Sequence, residues 1–302
     1  MAHIYPTAYF DGKFIPSSEA NVSVASSAVL YGLSVYTVFH ITHTEEGDFA
    51  FRIKDHYQRL VDSCKIIGID TFSEEWSLES FTKAMGELVA ANKPTEDVFA
   101  RVTFHITELL PGTRSRGLPA VLSAFLYDAV PILPQSGARL KTSVWRRTPD
   151  FSIPSRAKVN GAYVNSVLAK QDAIDSGYDD CIFLDSLGHV AELSAANIFI
   201  VRNGKLITPG ASTDILEGIN RRTVIELARE MNIPVEERTI DLTELYIADE
   251  AFVCGTSAFI SPIITVDARD LPALDARPLT DKLAAAYKDA LLLPTSRFVT
   301  KL

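Results

Sequence analysis

The amino-acid sequence predicts a protein of two α+β domains. The chain has 302 residues, of which 47% are hydrophobic and 22% are charged, as is typical of a folded protein long enough for two cores. Helix and strand patterns occur in both halves, and short turns separate many strands, which favours hairpins over a doubly wound parallel sheet. We expect a small domain at 1–128, a linker at 129–137 and a larger domain at 138–302.

The first predicted domain begins with a β-hairpin, because Asp11-Gly12 lies between two apolar stretches. A polar turn at 43–48 favours a second hairpin. Two segments have apolar residues at helical spacing, and three are apolar and β-branched. These predict helices over 53–66 and 78–91 and strands over 35–42, 98–107 and 120–127.

The predicted linker carries Pro131, Pro134 and Gly137 between two strand patterns. The second predicted domain then alternates strands with helices. Its strands are predicted over 140–145, 180–185, 198–202, 205–208, 251–254 and 260–266, and its helices over 163–175, 223–231, 242–248 and 280–292.

Composition excludes several classes of function. A net charge of −9 with scattered Lys and Arg argues against a nucleic-acid partner. No apolar run reaches about 20 residues and the start lacks a signal-peptide pattern, so we expect no membrane span and a cytoplasmic location. The three cysteines form no CxxC pair and the six histidines show no metal-binding spacing, so we expect buried thiols and no metal site.

Local sequence gives four candidate sites, each with a structural alternative. Lys158 lies among small and apolar residues beside Arg156, which suits a Schiff-base amine or a surface lysine. Glu192, flanked by apolar residues, is either a partnered buried acid or an edge-strand acid. Residues 217–220 precede a predicted helix near Arg221 and offer amides and an Asn cap to an anion, or merely start a helix. Residues 255–257 could serve the same anion or form a turn.

Taken together and in order, a set of short segments resembles the class IV aminotransferases. These fold-type IV pyridoxal-phosphate enzymes include branched-chain and D-amino-acid aminotransferases. The segments are His56–Leu60, Ala157-Lys158, Tyr163, Asn165-Ser166, Gly177–Asp180, Ala191-Glu192, Asn197–Phe199, Leu216–Ile219, Ala248–Glu250 and Gly255-Thr256.

The resemblance implies a D-amino-acid aminotransferase-like fold, pyridoxal 5′-phosphate as cofactor and a homodimer. It makes Lys158 the catalytic lysine that forms the Schiff base and moves the substrate proton. Glu192 would face the pyridine nitrogen and Tyr163 the 3′-oxygen. The expected phosphate contacts and other cofactor contacts are Arg59, Leu216, Ile219, Asn220 and Thr256.

The resemblance also implies where the substrate binds. The expected contacts are Tyr31, Tyr36, Val38, Arg101, Tyr127, Ser257 and Ala258. Tyr36 with Val38 is more similar to the (R)-amine and D-amino-acid branches, whereas Phe99-Ala100-Arg101 is similar to the Tyr-x-Arg element of branched-chain enzymes.

Strand alternation places Arg101 on one face with Thr103 and His105. That face could accept a carboxylate, or Arg101 could instead pair with an acid. The loop 109–117 adds Arg114 and Arg116, which could recruit a 2-oxo acid or be solvated.

The function expected from the resemblance is transfer of an amino group from a hydrophobic, branched-chain L-amino acid to 2-oxoglutarate, by a ping-pong Schiff-base mechanism. The partners are therefore a small-molecule amino donor and a 2-oxo acid acceptor. A D-amino-acid or (R)-selective amine transaminase using pyruvate is the main alternative. An aminodeoxychorismate lyase and a non-catalytic pyridoxal-phosphate-binding homologue are the others.

Overall fold

The computed structural model describes residues 2–69, 71–272 and 277–302. By its internal contacts, the chain divides into two compact units. The first unit comprises Met1–Val130, Ala157–Ala162 and Ala290–Leu302, and the second comprises Pro131–Arg156 and Tyr163–Asp289. Two segments that follow the predicted linker in sequence, 157–162 and 290–302, therefore group with the first unit.

Helices and strands occur in both units, in agreement with the predicted mixed α+β class. Up to residue 130 the elements are β1 (Thr7–Phe10), β2 (Lys13–Pro16), α1 (Ser27–Leu30), β3 (Ser34–Thr44), β4 (Gly47–Phe51), α2 (Ile53–Ile67), α3 (Phe72–Glu75), α4 (Leu78–Asn92), β5 (Val98–Ile106) and β6 (Ala120–Asp128). Beyond it they are β7 (Ala138–Arg146), α5 (Tyr163–Asp175), β8 (Asp180–Leu184), β9 (Val190–Leu193), β10 (Asn197–Arg202), β11 (Lys205–Thr208), α6 (Ile219–Glu230), β12 (Val235–Glu237), α7 (Leu242–Tyr246), β13 (Glu250–Gly255), β14 (Phe259–Val266), β15 (Arg269–Asp270), α8 (Pro278–Leu292) and β16 (Val299–Lys301).

In the described part of the first unit, seven strands form an antiparallel sheet in the order β16-β4-β3-β5-β6-β1-β2. Alternation along each strand divides the sheet into an apolar and a mixed face. Val98, Val102 and Phe104 of β5 are fully buried in the core that α2 and α4 share with the sheet. The alternate residues of β5, which include Arg101, therefore lie on the other face.

Both hairpins predicted for the first unit are present. Phe10 pairs with Lys13 across the Asp11-Gly12 turn. In the second hairpin Thr44 pairs with Gly47, so β3 extends two residues beyond the predicted strand end at Thr42 and the turn is correspondingly shorter.

The described strands of the second unit form a mixed sheet in which six strands make a closed ring. The order β10-β13-β14-β7-β8-β9 returns to β10 through the pair Asn197 and Glu192. Strands β7 and β8 are parallel, as are β14 and β7. This closure buries Glu192, which is 6% exposed, and it excludes the alternative that Glu192 is an edge-strand surface acid.

Helix α6 begins at Ile219, earlier than the start near Arg221 that the sequence predicts. Its N-cap is Gly218, whose backbone is extended, and no side chain caps the helix. The expected Asn cap is therefore wrong, because the Nδ2 atom of Asn220 donates to Thr256 Oγ1 at 3.2 Å instead. Ile219 and Asn220 belong to the first helical turn, where backbone N–H groups lack intrahelical partners.

Candidate active site

Lys158 lies in a short segment of the first unit that runs beside β3. Its backbone N–H donates to Ser63 Oγ at 3.1 Å, and its carbonyl oxygen accepts from the Tyr36 N–H at 3.0 Å. Val159 forms a bridge with Val35. The backbone of Lys158 is thus fixed on both sides, and its Nζ atom lies 4.9 Å from the centre of the Tyr36 ring.

A pair of glycines allows this segment to approach the start of β3. The Gly161 N–H donates to the Gly32 carbonyl oxygen at 3.3 Å. A Cβ atom on Gly32, whose φ is +67°, would lie 2.7 Å from Gly161 Cα. Such a contact is sterically excluded, and the positive φ also favours glycine at this position.

Arg59 is held by a hydrogen-bonded group on the core side of β3. Its NH2 group donates to Thr37 Oγ1 at 2.9 Å, and Thr37 Oγ1 lies 2.6 Å from His56 Nδ1. Because arginine can only donate, the Thr37 oxygen accepts from Arg59 and its hydroxyl proton is available to His56 Nδ1. Thr37 and His56 are buried, so Arg59 is anchored by groups that are themselves fixed.

Four predicted substrate contacts share the mixed face of the first sheet. Val38 pairs with Arg101, and Phe99 pairs with Tyr127. Tyr36 precedes Val38 by two residues on β3, so it shares that face. The guanidinium carbon of Arg101 lies 3.9 Å from the centre of the Tyr36 ring.

This face borders a cavity of about 660 Å³ within the first unit. Arg101, Thr103 and His105 all line it, which confirms that they share one face. Burial and the charge of Arg101 lower the pKa of His105 to about 4, and its Nε2 atom lies 2.8 Å from Ser123 Oγ. His105 is therefore neutral at neutral pH, and Arg101 provides the positive charge of this group.

Two other expected features lie on exposed surface. Tyr31 follows α1 directly and is 42% exposed. Arg114 and Arg116 are also exposed, and the Arg116 side chain passes close to Gly68.

In the second unit, Glu192 is the centre of a buried polar group. Its Oε1 atom accepts from Arg147 Nε at 2.8 Å, and its Oε2 atom accepts from Asn197 Nδ2 at 3.0 Å. The Leu216 N–H lies 3.2 Å from Oε1 and 3.3 Å from Oε2. These donors stabilise the ionised carboxylate, and they confirm the interpretation that Glu192 has a fixed partner.

The N-terminus of α6 packs closely against the same group. A Cβ atom on Gly218 would lie 2.0 Å from Asn197 Oδ1, so no larger residue fits without displacing Asn197. The Asn197 amide also donates to the Leu216 carbonyl oxygen at 3.0 Å. The helix start that presents the Ile219 and Asn220 amides is therefore tied to the strand pair that holds Glu192.

Thr256, Ser257 and Ala258 form the turn between β13 and β14. The predicted linker braces this turn, because Ile132 N–H donates to the Ser257 carbonyl oxygen at 2.9 Å and Gln135 Nε2 to that of Ala258 at 3.1 Å. Thr256 accepts from Asn220, so the turn and the first turn of α6 are joined within the second unit. Tyr163 is the first residue of α5 and is half-buried.

Sequence reasoning missed several residues that hold these groups. Ser63 follows Arg59 by one turn of α2, so its position on the same helix face was readable from spacing. Asn197 belongs to a segment of the resemblance but had no assigned role. Thr37, Arg147 and Asn160 gave no local signal, because each contacts a residue that is distant in sequence.

Other kinds of site find no support in the described ranges. Over residues 2–69, 71–272 and 277–302, no group of three or more His, Cys, Asp or Glu is arranged to bind a metal ion. No helix in these ranges is sufficiently long and apolar to cross a membrane. The three cysteines are free and buried, as predicted, and burial raises the pKa of the Cys64 thiol to about 12.

The donor set suits pyridoxal phosphate. In the first unit Arg59 offers a cation, and in the second unit the first turn of α6 offers backbone amides that lack intrahelical partners; each is a usual partner of a phosphate. Glu192 offers an ionised carboxylate to a pyridinium, and Lys158 offers an amine.

Comparison with known proteins agrees with this chemistry. Residues 34–266 match the family model of class IV amino-transferases. A probable branched-chain-amino-acid aminotransferase of Aquifex aeolicus (strain VF5) is 38% identical over 287 residues, which are 94% of this chain and 91% of that protein.

Two solved structures are also similar. The branched-chain aminotransferase of Thermoproteus uzoniensis with norvaline has a TM-score of 0.93 at 37% identity, covering 98% of this chain and 99% of that one. The T.th. branched-chain amino acid aminotransferase, complexed with N-(5′-phosphopyridoxyl)-L-glutamate, has a TM-score of 0.90 at 32% identity and covers 98% of each chain. The chain belongs to the class IV aminotransferases and is a pyridoxal-phosphate-dependent transaminase of fold type IV.

Proposed function

We propose that this transaminase moves an amino group from a hydrophobic, branched-chain L-amino acid to 2-oxoglutarate. The observation that carries the proposal is the mixed face of the first sheet, where Arg101 lies beside Tyr36 and Val38 and shares the face with Tyr127. A branched-chain amino acid has one carboxylate and one apolar side chain, so it needs a cation next to apolar surface. The complex of one relative with norvaline, an unbranched hydrophobic amino acid, supports a hydrophobic donor, and the phosphopyridoxyl-L-glutamate complex of the other supports the pair of glutamate and 2-oxoglutarate.

The proposed roles follow from the chemistry of each side chain. When bound, pyridoxal phosphate supplies a carbonyl group that condenses with amines and a ring that accepts electrons. Arg59 binds its phosphate together with the Ile219 and Asn220 amides and the Thr256 hydroxyl. Glu192 holds the proton of the ring nitrogen, and the Tyr163 hydroxyl donates to the ring oxygen. Leu216 contributes backbone near Glu192.

Lys158 Nζ carries out the proton transfer at the substrate Cα. Its backbone is fixed by Ser63 and by the Tyr36 N–H, so movement is confined to its flexible side chain. Such confinement favours a general base, because the amine has to reach the same proton in each catalytic cycle. Tyr31, Ser257 and Ala258 are proposed as further substrate contacts.

The donor is tested by single half-reactions of the purified holoenzyme. L-leucine, D-alanine and (R)-1-phenylethylamine are mixed separately with the protein, and the visible absorption of the bound cofactor is followed. We expect rapid loss of the band with L-leucine. No reaction with L-leucine but reaction with D-alanine or the (R)-amine would replace this proposal with the D-amino-acid or (R)-amine alternative.

The acceptor and the order of steps need a second measurement. In a ping-pong reaction the donor leaves as a 2-oxo acid before the acceptor binds, so double-reciprocal plots at several 2-oxoglutarate concentrations are parallel. We expect parallel lines and a higher kcat/KM with 2-oxoglutarate than with pyruvate. Release of pyruvate from aminodeoxychorismate without an acceptor would instead indicate a lyase.

We also propose that the chain forms a homodimer. Val164, Val167 and Leu168 lie on one face of α5 and are 66%, 63% and 42% exposed. Val144 and Trp145 of β7 are exposed as well. Apolar side chains at i, i+3 and i+4 of an amphipathic helix normally pack against protein. Sedimentation equilibrium of the protein and of Val167→Lys tests the dimer, which we expect the substitution to weaken.

A further inference from the structure

We propose that Asn160 is a positioning residue that fixes the orientation of Arg101 for the carboxylate of the substrate. The inference rests on the proposed function, in which Arg101 receives that carboxylate. Asn160 follows Lys158 by two residues, belongs to the first unit and lines the same cavity as Arg101.

The Asn160 amide is hydrogen-bonded at both of its polar atoms. Its Oδ1 atom accepts from Arg101 NH2 at 2.7 Å, and its Nδ2 atom donates to Ser34 Oγ at 2.8 Å. Since the guanidinium has only donors, a flipped amide would place two N–H donors against each other. The amide therefore has one favourable orientation, in which the hydroxyl of buried Ser34 accepts from Nδ2.

Two contacts together determine how the guanidinium is oriented. The guanidinium carbon of Arg101 lies over the Tyr36 ring, 3.9 Å from its centre, so cation–π attraction holds the group against that ring. This attraction alone does not fix the direction in which the N–H groups point. The hydrogen bond to Asn160 restricts rotation of the group, so that the fork of N–H groups keeps one direction. A carboxylate binds an arginine fork strongly only when the two planes and directions match.

The neutral charge of Asn160 matters as much as its geometry. An amide oxygen orients Arg101 without cancelling its positive charge, whereas a carboxylate in the same place would form an ion pair. None of the described residues that line the cavity is an Asp or a Glu. Arg101 therefore keeps its charge for an incoming anion.

Loss of the Asn160 side chain should spare Lys158. The backbone of Lys158 is held by Ser63 and by the Tyr36 N–H, and neither contact uses the Asn160 amide. The effect of a substitution should consequently appear in binding of the carboxylate rather than in proton transfer.

The test compares Asn160→Ala and Asn160→Asp with the parent holoenzyme. Binding of 4-methylvalerate, which lacks an amino group and cannot react, is measured by calorimetry, and 4-methylvaleramide is the uncharged matched ligand. The KM and kcat for L-leucine are measured in parallel. Asn92→Ala is the control, because Asn92 also hydrogen-bonds through both amide atoms in the first unit, to Thr7 and Leu88.

We expect Asn160→Ala to raise the Kd for 4-methylvalerate and the KM for L-leucine by about tenfold, with kcat changed less than about twofold. Asn160→Asp keeps an acceptor for Arg101 but neutralises its charge, so we expect at least as large an increase. The Kd of Asn160→Ala for 4-methylvaleramide should equal that of the parent. The Kd, KM and kcat of Asn92→Ala should also equal those of the parent.

Three results would overturn the inference. The first is an unchanged Kd for 4-methylvalerate in Asn160→Ala. The second is an equal increase in the Kd values for 4-methylvalerate and 4-methylvaleramide in that variant. The third is an Asn160→Asp variant whose Kd for 4-methylvalerate and KM for L-leucine equal those of the parent. Failure of the proposed function gives a different pattern, in which the parent binds 4-methylvalerate but does not react with L-leucine.

Discussion

The backbone N–H of Lys158 donates to Ser63 Oγ at 3.1 Å, although the two residues are 95 positions apart. Ser63 is fully buried and follows Arg59 by one turn of α2. The helix that carries the proposed phosphate-binding arginine therefore also holds the backbone of the proposed catalytic lysine. A change on one face of α2 should affect both groups.

Ser63→Ala should lower kcat without preventing folding. The substitution leaves the Lys158 N–H without this acceptor, so we expect about a fivefold to tenfold loss of kcat and about 1–2 kcal/mol of stability. Single-turnover rates with L-leucine and urea unfolding measure the two effects. Ser143→Ala is the matched control, because Ser143 is buried and accepts the Trp145 N–H; an equal loss of kcat there would contradict the prediction.

Thr37→Val should weaken cofactor binding. Valine has the shape of threonine but cannot accept from Arg59 or donate to His56, so the arginine loses its anchor. We expect the Kd for pyridoxal phosphate, measured by titration of the apoprotein, to rise about tenfold. Thr37→Ser keeps the hydroxyl and should stay within about threefold of the parent; similar values for both variants would show that the hydroxyl is unimportant.

Glu192→Gln should impair both stability and catalysis. Whichever way the amide of glutamine is oriented, its NH2 group meets a donor, either Arg147 Nε or Asn197 Nδ2. We expect a loss of about 1–3 kcal/mol in the free energy of unfolding and a fall in kcat of about a hundredfold, because glutamine holds the ring-nitrogen proton poorly.

The control for that prediction is Glu250→Gln. Glu250 is a buried acid of the same unit that accepts the N–H groups of Leu279 and Thr280. We expect a comparable loss of stability there and an unchanged kcat. A hundredfold loss of kcat in both variants would assign the effect to the fold rather than to the cofactor.

His105 should make the stability of the first unit depend on pH. Burial and Arg101 lower its pKa in the folded protein from 6.5 to about 4. Between these values the unfolded chain binds more protons, so stability falls as the pH is lowered from about 6.5 toward 4 and is fully present above 6.5. The full effect is on the order of 3 kcal/mol, because each pKa unit corresponds to about 1.4 kcal/mol.

His105→Gln isolates this contribution from the acidic residues that titrate in the same range. Glutamine can still hydrogen-bond to Ser123, but it does not titrate. The free energy of unfolding is measured with urea at pH 7 and pH 4.5, and we expect it to fall less between these pH values in the variant than in the parent. An equal fall in both proteins would mean that His105 does not contribute to the pH dependence of stability.

Local patterns predicted most elements of the fold and the two hairpins of the first unit, but not the pairing of strands that are distant in sequence. Helix α5 has the predicted bounds, since its spacing and Gly177 define both ends. The parallel pairing of β7 with β14 joins segments that are distant in sequence, such as Ala138 and Ile263, and it completes the ring of strands that contains the Glu192–Asn197 pair. No local spacing encodes such partners, and they decide whether Glu192 is buried.

The candidate site follows the same rule. Alternation along β5 sufficed to place Arg101, Thr103 and His105 on one face. The partner of Arg101 could not be predicted in this way, because Asn160 is 59 residues away and an asparagine two residues after a lysine has no distinctive pattern. The sequence could therefore identify the proposed carboxylate-binding arginine, but not the amide that is hydrogen-bonded to it.

The first unit consists of three segments that are separated in the sequence, and this affects how it can form during translation. Strand β16 pairs with β4 at one edge of the sheet, yet the ribosome produces it only after all of the second unit. The segment that carries Lys158 likewise emerges after residue 130. A nascent chain that has completed β1 to β6 thus still exposes the edge of β4 and lacks the proposed catalytic lysine. Assembly of the first unit must therefore await translation of the second.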